Sequence, residues 1–326
     1  MKLRNDLDAL IEFPVVTSFT RVGFAARKAL QGWKPTDSYD LHDRVVVVTG
    51  ATSGIGRATA TSLARCSATV VVVGRDETRN AAAAAEISRL TGNPNVSHVA
   101  ADMGDYSQVR ALAHRVLSDH DRLDVLVHNA GALSAERRLA PDGTEATVAS
   151  QVVGPFLLTG LLLERLAATP PTRVVTVSSG GMYSARLTVS GLQLPAKSYK
   201  GATQYALAKR AQVALNEEWA QRFGHLGIHF HSMHPGWADT PGVDAALPAF
   251  ARIMGPLLRT SEEGADTVLW LAGEEAALQS NGKFWLDRRV RATHRLPGTR
   301  RSDTPNRRAE LWDWVSATCG LVPAAP

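Results

Sequence analysis

From residue 41 onward the chain alternates short apolar runs with amphipathic stretches. Val45-Val46-Val47-Val48 comes first, and Val/Ile-rich runs follow at 69–73, 96–100, 124–127, 173–177 and 227–232. Between them, residues 55–65, 78–90, 107–118, 144–167 and 203–223 carry helical periodicity. A run that is apolar at every position suits a strand buried on both faces. Such strands separated by helices predict a parallel sheet flanked by helices, and right-handed crossovers make it a doubly wound α/β fold. Ala81–Ala85 strengthens one helix instead of marking disorder.

Two segments stand outside the pattern. Residues 1–40 read as an N-terminal arm and 291–326 as a basic C-terminal extension with a short helix from Arg308, leaving 41–290 as the domain proper. In the arm, Phe19, Val22, Phe24, Ala25 and Leu30 form an apolar stripe, with Arg21, Arg27 and Lys28 as its polar complement. Packing on the protein's own surface and peripheral membrane contact both stay open for that stripe. The longest apolar run, Val152–Leu163, contains Pro155 and is too short to cross a bilayer, so no transmembrane segment is expected. The charges at Lys2, Arg4, Asp6, Asp8 and Glu12 do not suit a signal peptide. Two cysteines, Cys66 and Cys319, make neither a disulfide framework nor a metal cluster; no metal is expected, and a reducing cytoplasmic setting fits.

The 36 basic and 31 acidic residues leave a net charge of +5, and the excess sits late. Between 288 and 308, Arg288, Arg289, Arg291, Arg295, Arg300, Arg301, Arg307 and Arg308 face only Asp303. No stacking aromatics interleave with them, so a solvated or anion-contacting tail is expected and a nucleic-acid partner is not.

The first strand runs into Thr49-Gly50-Ala51-Thr52-Ser53-Gly54-Ile55-Gly56 and then a helix start, Arg57-Ala58-Thr59-Ala60. Strand, glycine turn and helix place a pyrophosphate on a helix N-terminus. Gly50 permits the tight turn, Gly54 the approach of backbone to phosphate, and Gly56 close helix–strand packing. The second strand ends at Gly74-Arg75-Asp76, where an NAD site usually carries an acid. Arg75 suits a 2′-phosphate instead, because a guanidinium pairs with phosphate at two points. The expected cofactor is therefore NADP(H), with NAD(H) as the alternative because Asp76 lies one step on. Arg57 either assists Arg75 or is a solvated helix charge. Asp102-Met103 ends the third strand, where Asp102 either meets the adenine amino group or caps the next helix. The small residues Asn129-Ala130-Gly131 let the backbone after the fourth strand pass beside the cofactor.

Tyr205 and Lys209, four apart on one helix face, form a pair suited to acid–base work. A free tyrosine has a pKa of about 10, and an adjacent ammonium favours its phenolate. A serine hydroxyl beside Tyr205 would steady a substrate oxygen.

Taken together, Thr49-Gly50-xxx-Gly54-x-Gly56, Asn129-Ala130-Gly131, Ser178-Ser179, Tyr205-xxx-Lys209 and Pro235-Gly236 with Thr240 resemble the short-chain dehydrogenase/reductase family over residues 41–290. The resemblance implies a single-domain Rossmann oxidoreductase moving hydride between nicotinamide and a carbonyl/alcohol pair. It implies that Ser179 polarises the substrate, that Lys209 also holds the nicotinamide ribose, and that Thr240 meets the carboxamide. It also implies a homo-oligomer, often through the Tyr–Lys helix. Val177-Ser-Ser-Gly-Gly-Met182, Ala208-Lys-Arg-Ala-Gln212 and Ser232–Val243 are most similar to the branch called dehydrogenase/reductase SDR family member twelve, akin to the retinol-dehydrogenase-like branch, which suggests a lipophilic substrate. In one departure, Gln151 in Gln151-Val-Val-Gly154 stands where the family usually has a catalytic asparagine. That puts turnover in question and motivates the alternative of an NADP(H)-binding regulator or scaffold with weak or no catalysis. Trp237, Leu247, Phe250, Ile253 and Leu257 are the candidate apolar pocket, with lid packing or a subunit interface as the other reading.

Overall fold

The computed structural model describes residues 2–12, 14–240 and 252–321. Its strands are β1 (Val45–Thr49), β2 (Thr69–Gly74), β3 (Val96–Ala100), β4 (Val125–His128), β5 (Thr172–Val177), β6 (Ile228–Met233), β7 (Lys283–Leu286) and β8 (Arg289–Val290). They form one sheet in the order β3-β2-β1-β4-β5-β6-β7-β8, parallel except for the final antiparallel pair. The order reverses between β1 and β4, which places the ligand crevice beyond the C-terminal ends of those strands.

The helices described are α1 (Lys2–Glu12), α2 (Val15–Phe19), α3 (Arg21–Gln31), α4 (Gly54–Arg65), α5 (Glu77–Thr91), α6 (Tyr106–Asp119), α7 (Ala146–Val148), α8 (Gly154–Leu161), α9 (Leu163–Ala167), α10 (Gly201–Phe223), α11 (Ser261–Gly273), α12 (Pro297–Ser302) and α13 (Pro305–Cys319). The valine run of β1 divides its side chains between the two faces of the sheet. Val45 and Val47 join a core with Leu112 of α6, Leu157 of α8, Leu215 of α10 and Leu311 of α13. Val46 and Val48 join the opposite core with Leu63 of α4, Ile87 of α5 and Val268 of α11. Full burial of each such side chain stabilises the fold by about 1.5–3 kcal/mol.

The structure departs from the sequence reading in several places. The helix expected over 144–167 is interrupted by a π turn, Ala149–Val153, and by a break at Leu162. Pro155 explains the first interruption: it has no N–H to return to the carbonyl of Gln151. Strand β7 and helix α11 were not anticipated. The signal for α11 was present as a capping box, in which Thr260 and Glu263 bond each other's backbone N–H groups.

The arm and the C-terminal extension are both packed into the domain. In the arm's stripe, Phe19 and Phe24 are buried on the protein's own surface, while Val22 is exposed. Arg27, expected on the polar face, is completely buried. The C-terminal helix is α13, with Trp312 set 4.8 Å from both Phe156 and Trp219. It covers part of α10, the helix through which an oligomer was expected. The late arginines are not an unbalanced tail: Arg288 pairs with Asp266, Arg291 with Asp8, Arg295 with Glu12, and Arg308 with Glu217 and Asp303.

Candidate active site

The glycine turn is braced by the end of β4. Asn129 donates its side-chain amide to the carbonyls of Thr49 and Gly50, at 3.0 and 3.1 Å. The Thr49 hydroxyl accepts from the backbone N–H groups of Asn129 and Ala130. Gly50 has φ +68°, and a Cβ there would lie 2.8 Å from Ala130 Cα; at Gly56 it would lie 2.2 Å from the Gly50 carbonyl oxygen. Only glycine fits either position. Helix α4 starts at Gly54 behind Ser53, whose side chain makes no capping bond. The first-turn N–H groups are thus not capped by that side chain, and this backbone cradle fits a dinucleotide pyrophosphate. Thr52 and Ile55 are partly buried at the turn.

At the end of β2 the glycine has a reason of its own. A Cβ on Gly74 would meet Asn80 Oδ1 at 2.3 Å, and the Asn80 amide donates to the Gly74 carbonyl. Arg75 is exposed and makes no ion pair among the described residues. Asp76 is engaged as the N-cap of α5, accepting from the Arg79 N–H at 2.8 Å. Arg57 pairs with Glu86 of α5. Asp102 does not cap α6; Asp105 does, while Asp102 accepts from the N–H of Gly104 at 2.8 Å. Met103, next to it, is buried.

The chemical side chains converge where β5 meets α10. The two serines after β5 divide the work. Ser178 is buried and donates to the Lys209 carbonyl, tying strand to helix. The Ser179 hydroxyl lies beside the Tyr205 phenol and accepts from the Gly181 N–H. Lys209, also buried, donates to the Val177 carbonyl at 2.9 Å, with its Nζ 5.2 Å from the centre of the Tyr205 ring. Burial pushes the Tyr205 phenol up to about 12, partly opposed by the neighbouring Ser179 hydroxyl. Burial also brings Lys209 down to about 7. Desolvation therefore dominates both groups, and the phenol is raised where the sequence reading expected the lysine to lower it.

Gln151 sits inside the π turn. Its carbonyl, freed by Pro155, accepts from the Gln212 side-chain amide at 2.6 Å. Its own amide donates to the Ala132 carbonyl at 2.8 Å, and its Oε1 is buried beside Gly131 without a protein partner. Gln212 was missed by sequence reasoning, although it lies one helical turn beyond Lys209. Nearby, His128 is enclosed and shares a 2.8 Å hydrogen bond with Thr159; burial drops it to about 3, so it stays neutral.

The segment after β6 returns to the crevice. The methyl of Thr240 would be 3.2 Å from a Cβ on Gly54. Pro235 and Gly236 are backed by Arg259, which donates to the Pro235 carbonyl at 3.2 Å. Trp237 meets Phe19 edge-on at 5.7 Å. Ile253 is 77% exposed, which does not suit a pocket wall, and Leu257 is exposed as well. Leu247 and Phe250 lie outside the described residues. No group of three or more potential metal ligands occurs among the described residues, and no helix there is long and apolar enough to cross a membrane.

Residues 44–248 match the family model for short chain dehydrogenase. Human dehydrogenase/reductase SDR family member 12 is 41% identical over 295 residues, covering 90% of this chain and 91% of that protein. Human retinol dehydrogenase 12 is 33% identical, covering 96% and 98%. Among solved structures, an uncharacterized protein from Mycobacterium paratuberculosis superposes with TM-score 0.71 at 26% identity, covering 89% of this chain and 99% of that one. A short chain dehydrogenase from Burkholderia cenocepacia, in complex with NADP, has TM-score 0.61 at 27% identity, covering 75% and 96%.

Proposed function

The chain belongs to the short-chain dehydrogenase/reductase family of alcohol/carbonyl oxidoreductases, and from that premise we propose an NADP(H)-dependent enzyme acting on a lipophilic alcohol or carbonyl. The observation that carries the reading is the contact of Ser179 with Tyr205, with Lys209 beside them, at the strand ends where the glycine cradle opens. When bound, the nicotinamide cofactor supplies or accepts the hydride. Gly50, Thr52, Ser53, Gly54, Ile55, Gly56 and the Asn129-Ala130-Gly131 backbone hold its phosphates and ribose, with Asp102 and Met103 towards the adenine. Arg75 takes the 2′-phosphate: it is the exposed cation at the end of β2, and the nearest acid, Asp76, is committed to capping α5. Pro235, Gly236 and Thr240 line the nicotinamide end.

Ser179 fixes the substrate oxygen, and Tyr205 gives that oxygen its proton in reduction and takes it in oxidation. The phenol, held near 12, is protonated at neutral pH and ready to donate. Lys209, near 7, carries its charge only below that pH, and when protonated it favours the phenolate once the proton has left. Likeness to retinol dehydrogenase 12 supports the lipophilic substrate class. The buried free thiols of Cys66 and Cys319 support a reducing, cytoplasmic setting.

A cofactor-binding protein with little catalysis is the second reading. It is favoured by the Gln151 carbonyl, which is taken by Gln212 instead of standing open to solvent. A panel of lipophilic aldehydes, ketones and alcohols, followed by NADPH absorbance with NADH in parallel, separates the two. The enzyme reading expects turnover with preference for NADPH. Tight NADPH binding with no turnover across the panel supports the second reading, and preference for NADH refutes the assignment of Arg75.

A further inference from the structure

We propose that Arg27, in the N-terminal arm, is a positioning residue for the nicotinamide end of the site: through Asp287 and Arg259 it sets the turn Pro235-Gly236-Trp237. The arm would then complete the active site from a distance in sequence, a role that nothing in the glycine cradle or the Tyr–Lys pair requires.

Arg27 is fully buried, and each of its side-chain nitrogens is engaged. Its Nε donates to Asp8 at 3.1 Å, Nη2 to Glu12 at 2.8 Å and to the Ser18 hydroxyl at 3.0 Å, and Nη1 to the Ser18 carbonyl at 3.0 Å. Nη1 also donates to Asp287 Oδ2 at 2.6 Å. Asp287 is equally buried and is shared: Arg259 donates to its two oxygens at 2.6 and 2.9 Å in a two-point pair. One carboxylate thus joins a guanidinium of the arm to a guanidinium beneath the turn, and both cations depend on its placement.

Arg259 passes this placement to the turn. It donates to the Pro235 carbonyl, and a Cβ on Gly236 would lie 2.3 Å from its Nε. Gly236 has φ +77°, so the backbone folds closely over the guanidinium. The arm also holds the turn directly. The N–H of Trp237 donates to the Phe19 carbonyl at 2.8 Å, and Arg259 reaches back to the carbonyls of Thr20 and Ser18. The Phe19 ring packs 4.2 Å from that of His234, and a Cβ on Gly180, next to Ser179, would meet it at 2.7 Å. The arm therefore touches both segments that flank the catalytic serine and tyrosine.

The link to the nicotinamide end rests on the cofactor reading above; the link to the turn does not. The test uses the full-length protein with Arg27→Met and the milder Arg27→Lys, which keeps the charge but loses the fork. Amide hydrogen exchange at Gly236 and Trp237 is expected to quicken by at least about tenfold, while the amides of β1 and β4 keep their protection. NADPH affinity is expected to fall by about tenfold and that of adenosine 2′,5′-bisphosphate, which lacks the nicotinamide, by less than about twofold. Should Arg27→Met fail to fold, the same readings on Arg27→Lys decide. Unchanged exchange at Gly236 and Trp237 overturns the proposal. So does an equal loss of both ligands together with faster exchange in β1, which marks a merely structural role. Should the wild type bind neither ligand, the cofactor reading fails, and the exchange result alone decides whether the arm sets the turn.

Discussion

The crevice at the ends of β1 and β4 and the clamp beneath β6 to β8 are built from different materials. The crevice is made of backbone: glycines that admit no Cβ, a helix start without a side-chain cap, and one asparagine bracing two carbonyls. The clamp is made of charged side chains drawn from both ends of the chain, with Asp8, Glu12 and Asp287 shared among Arg27, Arg259, Arg291 and Arg295. A backbone site can be specified by spacing within a few residues. A side-chain clamp needs partners up to 283 residues apart, and each of its charges is costly to bury without all the others.

The largest effect is expected at Tyr205, beside Ser179 and Lys209. If the clamp and cradle only position the reactants, Tyr205→Phe removes the chemistry and spares both. Turnover should drop by at least about a thousandfold, near 4 kcal/mol in the barrier, with NADPH affinity and melting temperature close to wild type. A variant that keeps wild-type turnover would mean that proton transfer lies elsewhere. A variant that loses NADPH binding as well would show that Tyr205 belongs to the binding surface, and the division drawn above would fail.

A smaller effect is expected at Arg75, a side chain placed at the rim of the backbone-built crevice. Arg75→Glu puts a carboxylate where a 2′-phosphate is expected. It should shift preference from NADPH towards NADH by about 10- to 100-fold, or about 1.4–2.7 kcal/mol, measured as the ratio of kcat/KM values. Arg57, already paired with Glu86, should contribute little on substitution. An unaltered ratio in Arg75→Glu would place the phosphate contact elsewhere.

The same contrast explains what the sequence disclosed. The parallel sheet was legible because Val45–Val48 and Val70–Val73 are apolar at every position, a pattern that burial on both faces imposes locally. The glycine turn and Tyr205 with Lys209 were legible because their spacing is short. The helix broken at Gln151 was not, because periodicity does not register that Pro155 withholds one N–H, nor that Gln212 supplies the replacement. The basic tail was misread for a related reason. Counted along the chain, the arginines from 288 to 308 face one acid; in space Asp8, Glu12, Glu217 and Asp266 come to meet them. Strand β7, four residues long and closed by Trp285 and Leu286, offers too little pattern to declare itself.

The smallest effects are expected in the pH dependence of stability, where the two regions should act at opposite ends. In the crevice, burial brings Lys209 down from its ordinary 10.5 to about 7. Between those values the unfolded chain binds more protons than the folded one, so this residue makes stability rise with pH across that window. In the clamp, burial alone would raise Asp8, but the hydrogen bond from Arg291 and the charges of Arg291, Arg27 and Arg289 outweigh it and hold the carboxyl below its ordinary 3.8. That contribution is fully present above the unfolded value and is lost as pH falls through the folded one. Urea unfolding from about pH 3 to about pH 9 should therefore separate two variants. Lys209→Met should flatten the slope on the alkaline side and leave the acid side alone, whereas Asp8→Asn should flatten the acid side alone. If both variants changed the same limb, the charge balance of the clamp would extend into the crevice, and the two regions would have to be treated as one electrostatic unit.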